Sequence, residues 1–169
     1  MPVPNAAVNS REKILPREEL VRKLAEHRAR GERIVLANGC FDLLHVGHVR
    51  YLEAASHEGD VLVVAVNADS SLRPLKGEGR PILPAEARAQ LVAAIGAVSY
   101  VTIFDEPDVV ALLEALKPDV HAKGTDYTVD TVPERDVARR LGVRIAIVGD
   151  PKQHSTRDLL ARLRNLPDV

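Results

Sequence analysis

The sequence has no tryptophan, two phenylalanines, three tyrosines, one methionine and one cysteine. So few rings argue against recognition by stacking on aromatic platforms. A single cysteine excludes a disulfide framework within the chain and any cysteine-rich zinc site. The apolar runs fall far short of a membrane span, and MPVPNAAVNSREK at the N-terminus lacks the apolar stretch of a signal peptide. Neither sign of charge predominates: 23 Lys and Arg stand against 24 Asp and Glu, a formal net charge of −1. That balance excludes a polyanion binder working through a broadly basic surface, although a local basic pocket fits inside a neutral total. Nucleic acid and membrane are therefore not expected partners, and the protein is expected to be soluble and cytoplasmic.

What is present is ordinary globular material. The chain has 169 residues, 46% hydrophobic and 28% charged, enough for one domain that buries roughly 70% of its unfolded surface. Residues 1–15 show no periodicity and are expected to be an arm without fixed structure, leaving 16–169 as the domain. REELVRKLAEHRAR after Pro16 carries Leu20, Val21, Leu24 and His27 at helical spacing, and Gly31 ends it. Short apolar runs then alternate with helical patterns. Strands are expected at 33–37, 61–66, 100–103, 119–122 and 144–148. Helices are expected at 48–58, 84–95, 107–116, 132–141 and 155–166. This alternation predicts an α/β fold: a single Rossmann-like domain with a five-stranded parallel sheet and helices on both faces. Ligands in such sheets sit beyond the carboxyl ends of the strands, where strand order reverses.

The first strand runs into Asn38-Gly39-Cys40-Phe41-Asp42, followed by Leu43-Leu44-His45-Val46-Gly47-His48 at a helix mouth. Gly39 permits a tight turn without a side chain to hold a ligand away. Gly47 lets an anion approach the helix N-terminus. His45 and His48, three apart, share one side of the first turn. Two imidazoles there can donate hydrogen bonds to a polyphosphate and to charge developing on it. Zinc chelation by this pair would need further ligands, and Cys40 is the only cysteine, so no metal site is assigned. The turn lacks GxGxxG, which argues against a dinucleotide-binding domain.

NGCFDLLHVGHVRYL resembles the opening signature of the HxGH nucleotidyltransferases, and within them the heptose 1-phosphate adenylyltransferases. REKILPREELVRKLAEHRARGERIVLANGCFD, VVAVNADSSLRPLKGEGRPILPAEARAQLVAAI, DVHAKGTDY and HSTRDLLARL extend the likeness over nearly the whole chain from about Glu12. The resemblance implies transfer of AMP from ATP to a sugar 1-phosphate, with release of pyrophosphate. A phosphate monoester is already ionised at neutral pH, so no general base is required. The implied catalytic residues are His45, His48 and Lys76. The implied nucleotide contacts are Asn38, Gly39, Cys40, Phe41, Gly47, Arg88, Lys123, Ser155 and Thr156. Asp42, Arg80 and Asp126 would hold the sugar phosphate. Magnesium is expected to arrive with the nucleotide, and a homodimer is the expected assembly.

Each of these residues also has an ordinary reading. Lys76, Arg80 and Arg88 are three of the 23 basic residues. Ser155 serves equally as a helix cap, Asp42 as a turn residue and Cys40 as a small buried hydrophobe. His27, His57 and His154 carry no further signal. The sequence departs from the family pattern in three places. Thr125 stands where a second glycine is expected, Arg157 replaces a threonine, and His121 occupies a strand position suited to an aliphatic residue. A cytidylyltransferase acting on glycerol phosphate or another polyol phosphate, and a nucleotide-binding protein without catalysis, are the competing readings.

Overall fold

Five apolar runs pair edge to edge in the computed structural model, which describes residues 9–151 and 154–167. The strands are β1 (Ile34–Gly39), β2 (Val61–Asn67), β3 (Tyr100–Phe104), β4 (Val120–Lys123) and β5 (Arg144–Ile147). They form one all-parallel sheet in the order β3-β2-β1-β4-β5. All seven residues of β2 are buried, as expected of a β-branched strand covered on both faces. The chain steps outward from β1 to β3 and then returns to β4 on the other side, so strand order reverses between β1 and β4.

Alternation along the strands sorts the helices onto two faces. Val35 and Ala37 of β1, with Leu62, Val64 and Val66 of β2, pack against α2 (Val46–Ser56) and α4 (Ala85–Ala93). The intervening Ile34, Leu36, Val63 and Ala65 face α1 (Arg17–Ala29), α5 (Val110–Leu116) and α6 (Arg135–Leu141). Leu52 on one face and Leu112 on the other are fully buried, so truncating either to Ala should cost about 2–5 kcal/mol. A further helix, α7 (Thr156–Arg164), has no buried residue.

Two features differ from the sequence expectation. Residues 9–15, expected to belong to an arm without fixed structure, are ordered: Ser10–Lys13 form a 3-10 turn capped by Asn9, and Ile14 bridges to Val101. The Leu15 N–H donates to the Val101 carbonyl, so this stretch covers the β3 edge that would otherwise present unpaired groups. The remainder of the expected arm lies outside the described residues. Between β2 and α4 a short helix, α3 (Asp69–Lys76), occupies what reads as a polar loop. Pro74 lies inside it and the sequence DSSLRPLK has little helical propensity. Leu72, fully buried, anchors it to the fold.

Candidate active site

The carboxyl end of β1 lies at the point where strand order reverses, and the chain there turns sharply. Phe41 adopts a left-handed backbone conformation, φ 48°. Its ring folds beneath Gly39, so that a Cβ on Gly39 would come within 3.0 Å of it. Glycine is thus required at 39 by the ring beneath it. The Cys40 thiol donates toward Asn67 Oδ1 at the end of β2, 3.8 Å away. Burial raises its pKa, while the charges of Lys76 and Arg88 pull the other way. The thiol is therefore protonated at neutral pH, consistent with a packing role.

α2 begins with a reciprocal histidine cap. The Gly47 N–H donates to His45 Nδ1 at 3.1 Å, and the His45 N–H donates to His48 Nδ1 at 3.3 Å. The two rings stack with centroids 3.8 Å apart, and Phe41 packs edge-on against His48 at 5.2 Å. Because both Nδ1 atoms accept, the neutral rings carry their protons on Nε2, which makes each Nε2–H a donor held by its helix. A Cβ at Gly47 would lie 2.9 Å from His45 Cε1, so glycine is what allows the His45 ring to fold over the cap. The same Cβ would lie 3.7 Å from the His154 Cβ, which brings the mouth of α7 against that of α2. Ser155 caps α7 by accepting from the Asp158 N–H at 3.1 Å. Ser155 and Thr156 thus enter the same cleft edge as the histidine pair, alongside the exposed Arg157.

Asp42 lies below this edge as an anchor for the segment after α3. Its carboxylate accepts from Arg80 Nε at 2.7 Å, from the Ile82 N–H at 2.8 Å and from the Leu83 N–H at 3.0 Å. Burial alone would raise its pKa. The Leu83 and Ile82 N–H groups and the Arg80 guanidinium outweigh that and hold it below the usual carboxylate value. Arg80 also lines a cleft of about 860 Å³ with Asp69, Arg73, Gly77, Gly79 and Ile82. Lys76 closes α3, exposed, followed by Gly77 at φ 87°.

Arg88 differs most from its sequence expectation as a phosphate ligand. It is fully buried, and its guanidinium donates to three partners: the Leu83 carbonyl (2.9 Å), the Cys40 carbonyl (2.7 Å) and Asp69 Oδ1 (2.7 Å). It ties α4 to the β1 turn and to the start of α3, and the structure places it beneath the cleft rather than in it. Asp69 and Asn67 went unnoticed in the sequence. Their place at and just beyond the carboxyl end of a buried strand was the available signal.

On the other side of the reversal point, Lys123 ends β4, buried, with Nζ 3.8 Å from Glu134 Oε2 and 4.6 Å above the Tyr127 ring. Burial pulls its pKa below the usual lysine value, opposed by the nearby charges of Glu134 and Asp126. Asp126 folds back over Gly124, where a Cβ would lie 3.0 Å from its Oδ1. Thr125 turns away from that contact and donates to the Asp150 carbonyl at 2.9 Å. The departure from a glycine pair is therefore accommodated by pinning the β4 and β5 loops together. From α2, the Tyr51 hydroxyl donates to the Ala122 carbonyl at 2.7 Å, fixing the helix against the end of β4. Burial pushes that phenol far above its usual pKa.

The structure thus gathers Asn38, Gly39, Cys40, Phe41, His45, Gly47, His48, Lys123, Ser155 and Thr156 around one sheet edge. Asp42 and Arg80 support the adjoining loop. The chain is similar to curated proteins named Bifunctional protein HldE. It is 45% identical over 140 residues to that of Geobacter sulfurreducens, covering 83% of this chain and 29% of the relative. To that of Geobacter metallireducens it is 47% identical over 136 residues, covering 80% and 28%. The chain therefore spans under a third of the length of these relatives. A solved structure, the lipopolysaccharide core biosynthesis protein from Thermoplasma volcanium GSS1, superposes with a TM-score of 0.62 at 28% identity, covering 72% of this chain and 100% of that one. The sequence pattern of the cytidylyltransferase-like family matches residues 36–159, from the middle of β1 into α7. This chain belongs to the cytidylyltransferase-like family, and its histidine-capped helix at the strand reversal lies within the matched region.

Proposed function

We propose that the protein is a heptose 1-phosphate adenylyltransferase, converting ATP and D-glycero-β-D-manno-heptose 1-phosphate into ADP-heptose and pyrophosphate. The observation that carries the chemistry is the reciprocal cap of His45 and His48, which holds two Nε2–H donors at a helix N-terminus. A sugar phosphate oxygen attacks the α-phosphorus of the nucleotide, the bond to the β-phosphate oxygen breaks, and pyrophosphate leaves. The nucleophile is ionised beforehand, so the protein's work is to position two polyanions and to stabilise charge on the reacting phosphorus and leaving group. His45 and His48 donate to the triphosphate. Lys76 and Lys123 add positive charge from either side, and the mouth of α7 offers hydroxyl and N–H donors.

Magnesium fits this arrangement as a companion of the nucleotide. Among the described residues no group of three His, Cys, Asp or Glu side chains has metal-binding geometry. The ion would be held by phosphate oxygens and water, where it would neutralise charge on the phosphates. The heptose acceptor follows from the resemblance that runs through the chain, and the similarity to a lipopolysaccharide core biosynthesis protein supports it. Transfer of CMP to a polyol phosphate is the second reading, favoured by the description of the matched family. The proposed assembly is a homodimer working in the cytoplasm, and light scattering at twice the chain mass would support that state. Among the described residues no helix is long and apolar enough to cross a membrane.

Pyrophosphate release, measured with ATP and CTP each crossed against heptose 1-phosphate and glycerol 3-phosphate, tests the reading. Turnover with ATP and heptose 1-phosphate is expected. Turnover only with CTP, or only with glycerol 3-phosphate, would overturn the assignment while leaving the site chemistry intact.

A further inference from the structure

His121 lies in β4 opposite Leu36 of β1, completely buried, where an aliphatic side chain would pack without desolvation cost. Its Nε2 lies 3.0 Å from the side-chain oxygen of Asn38, two residues further along β1 and 83 positions away in the chain. Its Nδ1 is buried with no hydrogen-bond partner among the described residues. Two proton arrangements satisfy the contact. In one, Nε2–H donates to Asn38 Oδ1 and Nδ1 keeps a bare lone pair. In the other, the amide is flipped and donates to Nε2, which moves the ring proton to Nδ1 and buries an N–H with no acceptor. Orphaned buried N–H groups are rarer than under-satisfied acceptors, so the first arrangement prevails. Burial and the charge of Lys123 keep the ring neutral, its pKa lowered to about 3, which preserves this single-donor form.

With its oxygen committed to His121, the amide of Asn38 directs its NH2 group the opposite way. Asn38 is half-buried at the carboxyl end of β1, and no described residue accepts from that nitrogen. The adjoining positions on β1 carry the turn beneath the histidine pair, and Lys123 lies two residues beyond His121 on the same side of β4. We propose that His121 is a positioning residue for nucleotide binding, which fixes the Asn38 amide so that its NH2 group serves as a donor to the bound nucleotide. This rests on the reading of the β1 end as the nucleotide site, but not on the identity of the acceptor sugar. An aliphatic residue at 121 would leave the amide free to rotate, with no penalty for presenting its oxygen, which repels phosphate and competes for the same space.

The test is a double-mutant series read by calorimetric affinity for ATP alone, and for CTP alone, alongside melting temperature. His121→Leu should weaken nucleotide binding about tenfold, the equivalent of one hydrogen-bonded donor, with melting temperature unchanged or raised. His121→Gln, whose amide can donate to Asn38 Oδ1, should stay within a few-fold of wild type. Asn38→Ala should bind no better than His121→Leu, and the double variant should be no weaker than Asn38→Ala. Wild-type affinity in His121→Leu would overturn the proposal. So would losses that add in the double variant, or a His121→Gln protein as weak as His121→Leu at equal stability. Should His121→Leu fail to fold, the Gln and Asn38 variants decide the outcome. Because the readout uses nucleotide alone, a wrong acceptor assignment would leave this series unaffected and would appear only in the pyrophosphate assay.

Discussion

His45 and His48 support each other through the backbone: each Nδ1 accepts an N–H of the helix start, and the rings stack at 3.8 Å. This arrangement fixes both Nε2–H groups before any ligand arrives, so transition-state charge meets donors that need no reorganisation. Replacing His48 with Ala should lower kcat by about 10²–10³, the cost of one preorganised donor. The KM for ATP should move only a few-fold. The lost cap acceptor should cost about 1 kcal/mol of stability, visible as a small fall in melting temperature. Equal losses in kcat and nucleotide affinity would contradict a transition-state role.

Arg88 is a brace rather than a ligand in this structure, and its substitution should register in stability first. Arg88→Leu leaves the Cys40 and Leu83 carbonyls and Asp69 without their donor, a loss of about 3 kcal/mol. The melting temperature should fall by about 6–12 °C. Arg88→Lys keeps the charge but cannot reproduce three contacts from one planar fork, and should fall between the two. A stable Arg88→Leu protein with greatly weakened nucleotide binding would show that the side chain reaches the ligand after all.

Asp42 gives a pH dependence of known sign. Its carboxyl is held below the usual value in the folded protein, so the unfolded chain binds more protons as the solution turns acid. The stability it contributes is complete above the ordinary carboxylate pKa and is lost as pH falls through the lower folded value. Asp42→Asn should reduce stability at pH 7 and flatten the fall in urea midpoint below about pH 4. Parallel pH profiles for the two proteins would contradict this assignment.

Cys40 packs beneath the site with its thiol pKa raised by burial. Cys40→Ser should leave turnover within a few-fold, and alkylation of the wild-type thiol at neutral pH should be slow compared with a free thiol. Abolished activity in the Ser variant would demand a chemical role for the sulfur.

The fold was legible in the sequence because the strands are mostly apolar short segments and the covering helices carry apolar residues at helical spacing. β2 is the clearest case, hydrophobic from Val61 to Val66. α3 was not legible, because Pro74 and the polar start of the segment conceal a helix held by the single buried Leu72. The bridge from Ile14 to Val101 links positions 87 apart, which local periodicity cannot reveal. The histidine pair announced itself by spacing at a helix start. Arg88 did not disclose its inward direction, since its partners at 40 and 69 lie far along the chain. The Asn38–His121 contact was equally hidden, although His121 stood out as a polar residue in an apolar strand.

The most direct measurement follows the α-phosphate itself. Wild-type protein is incubated with ATP labelled at the α-phosphorus and with heptose 1-phosphate, and the His48→Ala variant is run in parallel. Label is expected in a nucleoside diphosphate sugar, with one pyrophosphate per labelled product, at a rate in His48→Ala lower by at least two orders of magnitude. Label that remains in ATP, or that appears in free AMP without sugar, would contradict nucleotidyl transfer to the heptose.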